Sequence, residues 1–144
     1  MATHYAILVG SVLGASEYVA DALADVIREA GAEVTILLDP DVNSIPADAV
    51  WVVCTSTHGA GELPDNIQPF AKELETTDLS GISAYVIGLG DSSYDTFCHG
   101  AMTMESLLTS KSATLLAPAL HIDVLNHPIP EDKAVAWFKT QIQA

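Results

Sequence analysis

The sequence predicts an α/β fold: a three-layer sandwich around a five-stranded parallel sheet of order 2-1-3-4-5, in a single domain spanning residues 1–144. Short apolar runs alternate with amphipathic helical segments, which is typical of parallel strands joined by crossover helices. These runs are continuously apolar, as expected for strands buried on both faces. Right-handed crossovers in a chain of this length favour the stated strand order.

The predicted elements follow in chain order. Strands are expected at residues 5–10, 34–38, 49–55, 84–88 and, less regularly, 114–124. Helices are expected at residues 16–30, 66–76 and 99–110, and from Pro130 onward. Gly31 supplies the stop signal of the first helix. Pro69 is tolerated only in the first turn of the second helix, and Pro118 interrupts the last strand.

Composition bounds the class of protein. The chain is 49% hydrophobic, which is enough for a sizeable core, yet its longest apolar run, residues 49–54, is far too short to span a membrane. The N-terminal residues lack the basic and apolar regions of a secretory signal. We therefore expect a cytoplasmic protein that does not bind membranes, with Cys54 and Cys98 as buried thiols.

The net charge is −14, with 5 strong bases in the whole chain. Nucleic acid is a poor partner for such a surface, because binding it requires clustered cations. The acidic surface has two interpretations. It serves solubility, or it steers the protein towards a basic protein surface.

Ligands of open parallel sheets bind beyond the carboxyl ends of the strands, where the strand order reverses. Here those ends belong to strands 1, 3 and 4. Each is followed by a segment rich in glycine and hydroxyl side chains: residues 10–17, 55–62 and 88–98. We call these the first, second and third loops.

The first loop joins a strand directly to a helix and contains Ser11, Gly14 and Ser16 but no Lys or Arg. A helix N-terminus presents free N–H groups and a positive dipole end to an anion. The missing Lys argues against an NTP-hydrolysing P-loop. A single phosphate, bound and kept intact, fits better, although a simple helix cap would also explain this loop.

The second and third loops add ring systems. His58 offers a flat ring between hydroxyls and glycines, and Tyr94 offers an aromatic face for stacking. Taken alone, His58 and Tyr94 also fit ordinary surface residues, and Phe97 fits a core residue. The third loop is not a dinucleotide fingerprint, because its third glycine is absent.

Together, the three loops resemble the FMN-binding loops of flavodoxins in order and spacing. The third loop, GLGDSSYDTFC, closely follows the short flavodoxins, and the segments THGAG and LPDN are similar to the MioC group among them. The resemblance covers essentially the whole chain and implies a flavodoxin-like fold. The chain has Leu13 where flavodoxins usually have Thr, and His58 where many have a larger aromatic ring.

The resemblance implies a cofactor site for FMN. Its residues are Ser11, Val12, Leu13, Gly14, Ala15, Ser16, Ser56, Thr57, His58, Gly59, Ala60, Gly61, Leu89, Gly90, Asp91, Tyr94, Phe97 and Cys98. The phosphate is expected on the first loop, with Ser56 or Thr57 as a further donor, and the flavin ring between His58 and Tyr94.

The family chemistry implied is one-electron transfer through the flavin semiquinone and hydroquinone, without substrate turnover. The Gly59–Ala60 peptide is expected to flip its carbonyl towards flavin N5. Nearby carboxylates, with Asp91, Asp95, Glu62 and Asp65 as candidates, should oppose the charge of the second electron.

The implied partners are a basic NADPH-dependent reductase as donor and a cytosolic acceptor, such as the radical enzyme biotin synthase. The protein is expected to be a monomer. The alternative is an FMN-bound regulatory or interaction module without a shuttle role. A receiver domain would need acids where Gly10–Ser11 and Thr55–Ser56 stand, and a hydrolase would need the absent G-x-S-x-G elbow. No spacing of His and Cys predicts a metal site.

Overall fold

The computed structural model describes residues 3–11, 14–57, 61–93 and 97–142. Its strands are β1 (His4–Gly10), β2 (Glu33–Leu37), β3 (Val50–Ser56), β4 (Ser83–Gly90), β5 (Thr114–Leu115) and β6 (Leu120–Asp123). Its helices are α1 (Ala15–Glu29), α2 (Gln68–Leu74), α3 (His99–Ser110) and α4 (Pro130–Ile142). Within the described ranges, no helix is both long and apolar enough to cross a membrane.

The strands form one parallel sheet in the order β2-β1-β3-β4-β5, with β6 also paired to β4. This order confirms the predicted topology. β5 and β6 replace the single irregular strand expected at residues 114–124. They pair with the two ends of β4, since β5 lies beside Ser83 and Ala84 and β6 beside the run from Ile87 to Gly90. The interruption contains Pro118, which has no N–H for a ladder hydrogen bond.

Both faces of the sheet are buried, as the continuous apolar runs predict. Along β1, Ala6 and Leu8 point into a core shared with α2 and α3, whereas Ile7 and Val9 point into a core shared with α1 and α4. β3 and β4 alternate in the same way. Phe138 of α4 is fully buried in the second core. Two packed faces thus hold the strand ends in fixed register.

The second helix is shorter than predicted. It begins at Gln68 rather than Asn66, with Pro69 in its first turn. The residue preceding the helix is Ile67, which is fully buried and provides no side-chain cap. The side chain of Asn66 is therefore not a helix cap, and its hydrogen bonds go elsewhere.

Candidate functional site

The sheet register brings the three loops to one edge. β1, β3 and β4 are adjacent, Gly10 lies beside Thr55, and Thr55 lies beside Gly88. The loops that follow these strands therefore leave the sheet side by side at its carboxyl-terminal edge. This is the position at which parallel α/β sheets bind ligands.

The first loop begins as a tight turn into α1. The Ser11 hydroxyl accepts a hydrogen bond of 2.8 Å from the Gly14 N–H. Gly14 has a φ of 90°, in the left-handed region, which favours glycine. Its carbonyl accepts the N–H groups of Glu17 and Tyr18, each at 3.1 Å, and so begins the helix. Val12 and Leu13, also predicted to bind the cofactor, lie outside the described residues.

Ser16 carries the most informative atom of this loop. The residue is fully buried in the first turn of α1. Among the described residues, its Oγ has no hydrogen-bond partner. A buried hydroxyl without a partner is costly and rare, so it calls for a polar partner that the described residues do not supply. An anion at the helix N-terminus would be such a partner, and the first loop therefore fits a phosphate.

The second loop contributes hydroxyls of two kinds. Ser56 Oγ donates to the Gly10 carbonyl at 3.4 Å, so its hydrogen is already engaged within the sheet edge. Thr57 Oγ1 instead accepts the Gly100 N–H at 3.0 Å, which leaves its own hydrogen available to a ligand. Position 100 has no space for a side chain, because a Cβ added to Gly100 would lie 2.7 Å from the Ser56 carbonyl oxygen.

Three further predicted residues, His58, Gly59 and Ala60, lie outside the described residues. Gly61, where the description resumes, has a φ of 103°. That value lies in a region that L side chains rarely adopt, so the loop ends in a turn that depends on glycine.

The third loop folds back against the start of α3. A Cβ added to Gly90 would lie 2.8 Å from the Cys98 backbone nitrogen and 3.0 Å from Phe97 Cδ1. This close approach explains the glycine at position 90. The Asp91 carboxylate accepts both the N–H and the hydroxyl of Ser93, at 2.8 and 2.6 Å, and so shapes the turn.

The side chain of Leu89 does not reach this edge. It is 2% exposed and packs in the core formed with α1 and α4, so only its backbone is available to a ligand. Tyr94, predicted to stack on the ligand ring, lies outside the described residues together with Asp95.

Both cysteines are buried, as predicted. Burial raises the pKa of the Cys98 thiol to about 11 and that of Cys54 to about 12. Thiols held in the neutral form are poor nucleophiles, so neither residue is suited to covalent chemistry. Cys98 stands instead in a left-handed conformation (φ 54°) that turns the third loop into α3.

Phe97, near the end of the third loop, packs against β6. Its ring meets the His121 ring edge-on, with 6.3 Å between centroids. His121 Nε2 is buried and has no hydrogen-bond partner among the described residues. Phe97 is partly exposed, so its packing contact with His121 leaves part of the side chain accessible.

Sequence reasoning missed Asp123, the last residue of β6. Its carboxylate accepts the N–H groups of Ser92 at 3.2 Å and Leu125 at 3.0 Å, and thereby joins the third loop to the chain after β6. Hydrogen bonds to the Asp123 carboxylate lower its pKa below the ordinary value, and the bond from the Ser92 hydroxyl has the largest effect. Asp123 is distant from the third loop in sequence, so only its pairing beside Gly90 shows this role.

The described residues contain no cluster of three or more His, Cys, Asp or Glu side chains arranged to hold a metal ion. The described polar groups at the strand ends include hydroxyls, backbone amides and separate carboxylates. That donor set suits an anionic group and a planar ring better than a cation.

Comparison with known proteins gives a consistent picture. The model of the flavodoxin family matches residues 7–138. The MioC homolog of Haemophilus influenzae is 44% identical over 142 residues, which cover 97% of each chain. A cysteine variant of flavodoxin from Pseudomonas aeruginosa superimposes with a TM-score of 0.87 at 35% identity, over 99% of this chain and 100% of that one. A Fusobacterium nucleatum flavodoxin, solved with flavin mononucleotide bound, shares the fold at a TM-score of 0.83 and 17% identity, over 99% and 96% of the chains.

Proposed function

The chain belongs to the flavodoxin family, whose members are electron carriers rather than enzymes, and from that premise we propose that it binds FMN and shuttles single electrons between a reductase and cytosolic redox enzymes. The observation that carries this proposal is the buried hydroxyl of Ser16, which has no hydrogen-bond partner in the described part of the chain and lies at the carboxyl-terminal edge of the sheet. We further propose that the chain acts as a single-domain monomer.

The first loop would hold the FMN phosphate. The hydroxyls of Ser11 and Ser16 each retain a hydrogen to donate, because Ser11 Oγ only accepts from Gly14 and Ser16 Oγ has no partner among the described residues. The backbone of residues 12–16 would supply N–H groups at the positive end of the α1 dipole. Thr57 is a better third donor than Ser56, whose hydrogen is already engaged.

The second and third loops would hold the flavin ring. We assign its two faces to His58 and Tyr94, on the resemblance described above. The backbone from Leu89 to Asp91 and the partly exposed Phe97 belong to the same loop as Tyr94 and would border the ring. Gly59, Ala60, Gly61 and Cys98 complete the proposed set, with Cys98 acting through its backbone because its thiol is buried.

FMN, when bound, supplies the one-electron chemistry, and the chain controls it through charge and hydrogen bonds near the ring. Asp91 and Glu62 lie in loops at this edge, and neither lies beside a Lys or Arg in the sequence. Carboxylates near the ring oppose added negative charge, within a screening length of about 10 Å. They would make the second reduction step more difficult than the first.

A basic NADPH-dependent reductase is the proposed electron donor, and the acceptor is a cytosolic redox enzyme of the kind represented by biotin synthase. The net charge of −14 supports a basic partner surface, because opposite charges speed the encounter of two proteins. The rate of electron delivery should therefore fall as ionic strength rises.

The test begins with the purified protein as expressed. We expect a visible flavin spectrum and release of FMN, identified by mass, on acid treatment. Reduction by NADPH and a flavodoxin reductase should then be fast, and so should reoxidation by an electron acceptor. A protein that neither contains nor takes up FMN would refute the site. A protein that binds FMN but exchanges electrons slowly would be a regulatory module rather than a shuttle.

A further inference from the structure

Asn66 joins three segments of the chain that are distant in sequence. Its Oδ1 accepts the Ser11 N–H at 3.0 Å. Its Nδ2 donates to the Val9 carbonyl at the end of β1 and to the Leu38 carbonyl after β2, each at 2.7 Å. One side chain thus ties the first loop to the strand that precedes it and to the neighbouring strand.

The hydrogen-bonding groups of the Asn66 side chain match the backbone groups around it. A primary amide offers two N–H donors on one side and a carbonyl acceptor on the other. At Asn66, both donors and the acceptor are used, and every partner is a backbone group. An Asp in this position would keep the acceptor but would face the two carbonyl oxygens with no hydrogen to donate.

The turn that carries Asn66 is held by contacts of its own besides those to the first loop. Ile67 is fully buried, and Gln68 Nε2 donates to the Leu63 carbonyl at 2.7 Å. The Ile67 N–H donates to the Pro64 carbonyl at 3.1 Å. These contacts hold the backbone that carries the Asn66 amide at the start of α2.

The contact with Ser11 passes into the first loop. The Ser11 N–H donates to Asn66, and the Ser11 hydroxyl accepts the Gly14 N–H at 2.8 Å. Gly14 in turn begins α1 through its carbonyl. The orientation of Ser11 therefore affects where the helix N-terminus and Ser16 are placed.

We infer that Asn66 is a positioning residue for phosphate recognition: it orients the first loop, through Ser11, so that the loop binds the phosphate of FMN. The inference rests on the proposed function. It concerns the phosphate end of the ligand alone, because none of the hydrogen bonds of Asn66 reaches the second or third loop.

The test compares FMN with riboflavin, which lacks the phosphate, in titrations of the apoprotein. We expect Asn66→Ala to weaken FMN binding roughly tenfold or more, the effect of losing about one oriented hydrogen bond, while riboflavin binding changes less than about twofold. Gln68→Ala is the matched control, since it removes an amide from the same turn without a contact to the first loop. It should leave both affinities within about twofold.

Equal losses for the two flavins, or no loss in Asn66→Ala, would overturn the inference. If Asn66→Ala does not fold, Asn66→Ser replaces it, because Ser keeps a polar group but cannot bridge three segments. A second readout is hydrogen exchange of the Ser11 amide in the apoprotein, which should be faster in either variant than in the wild type; unchanged exchange would also contradict the inference. A wild-type protein that binds neither flavin would instead refute the proposed function, and with it the inference that rests on it.

Discussion

Removing the Ser16 hydroxyl should stabilise the apoprotein and weaken FMN binding. Ser16 is fully buried, and its Oγ has no partner among the described residues. An unsatisfied buried hydroxyl costs about 1–3 kcal/mol, and Ala is also the better helix former by up to about 0.5 kcal/mol. For Ser16→Ala we therefore expect the free energy of unfolding of the apoprotein to rise by about 1–2 kcal/mol.

The same change should have the opposite effect on the ligand. A hydrogen bond to a charged group contributes about 1.5–3 kcal/mol, so its loss should weaken FMN binding by a factor of roughly 10 to 150. Urea unfolding of the apoprotein measures the first effect, and a flavin fluorescence titration measures the second. Ser106→Ala is the control, because Ser106 is an exposed residue within α3. It should shift stability by no more than about 0.5 kcal/mol and should leave FMN affinity unchanged.

Ser16→Ala should raise the stability of the apoprotein and lower its affinity for FMN, and each effect can be contradicted separately. A destabilised Ser16→Ala apoprotein would mean that the hydroxyl already has a partner in the folded chain. An unchanged FMN affinity would mean that the hydroxyl does not donate to the phosphate. Either result alone would remove the structural basis for placing the phosphate on the first loop.

Three further predictions concern the edge and the core behind it. Hydrogen bonds lower the pKa of the Asp123 carboxyl in the folded protein. The ionised carboxylate therefore stabilises the fold above the unfolded-state pKa of about 3.9, and this stabilisation is lost as the pH falls through the lower folded-state pKa. Asp123→Asn should therefore flatten the loss of stability in urea unfolding between about pH 5 and 3, and it should weaken flavin binding. Asp78→Asn is the control, because hydrogen bonds also lower the pKa of Asp78, which precedes β4; it should flatten the same loss of stability at low pH without changing flavin affinity. An Asp123→Asn protein with the pH profile of the wild type would contradict this prediction. Gly88→Ala should destabilise the protein by about 1–3 kcal/mol because its Cβ would collide with that of Ala101, and the added change Ala101→Gly should recover part of the loss; additive losses would rule out the collision. Cys98 should resist alkylation by iodoacetamide at pH 8 in the folded protein and react on unfolding, because burial raises its thiol pKa to about 11; rapid reaction of the folded form would disprove this.

Much of the fold could be predicted from local pattern. The first four strands and the first, third and fourth helices are found close to where apolar periodicity places them, because a parallel sheet buried on both faces leaves a continuous apolar signature. The position of the loops at one edge also followed, since the carboxyl ends of parallel strands always lie together. The break between β5 and β6 was indicated by Pro118.

The roles of individual polar residues could not be predicted in the same way. Asn66 lies just before a helix, and Asn at such a position is commonly predicted to cap the helix N-terminus. Its actual partners are 28 to 57 residues away in the sequence. Asp123 likewise acts on Ser92, across 31 residues. Local pattern carries no information on such pairs, because they exist only once the sheet has set its register.

The sequence of the three loops has a physical consequence for the proposed function. The first, second and third loops contain no Lys or Arg. A single cation 10 Å from a flavin ring would stabilise an added electron by about 1.7 kcal/mol at an effective dielectric constant of about 20. Amide and hydroxyl dipoles bind a phosphate at contact, but their fields decline faster with distance than that of a net charge. In the proposed site, an anchor made of Ser11, Ser16 and the α1 N-terminus would hold the anion and would leave the potential of the ring to the nearby acids, which would make the bound flavin harder to reduce.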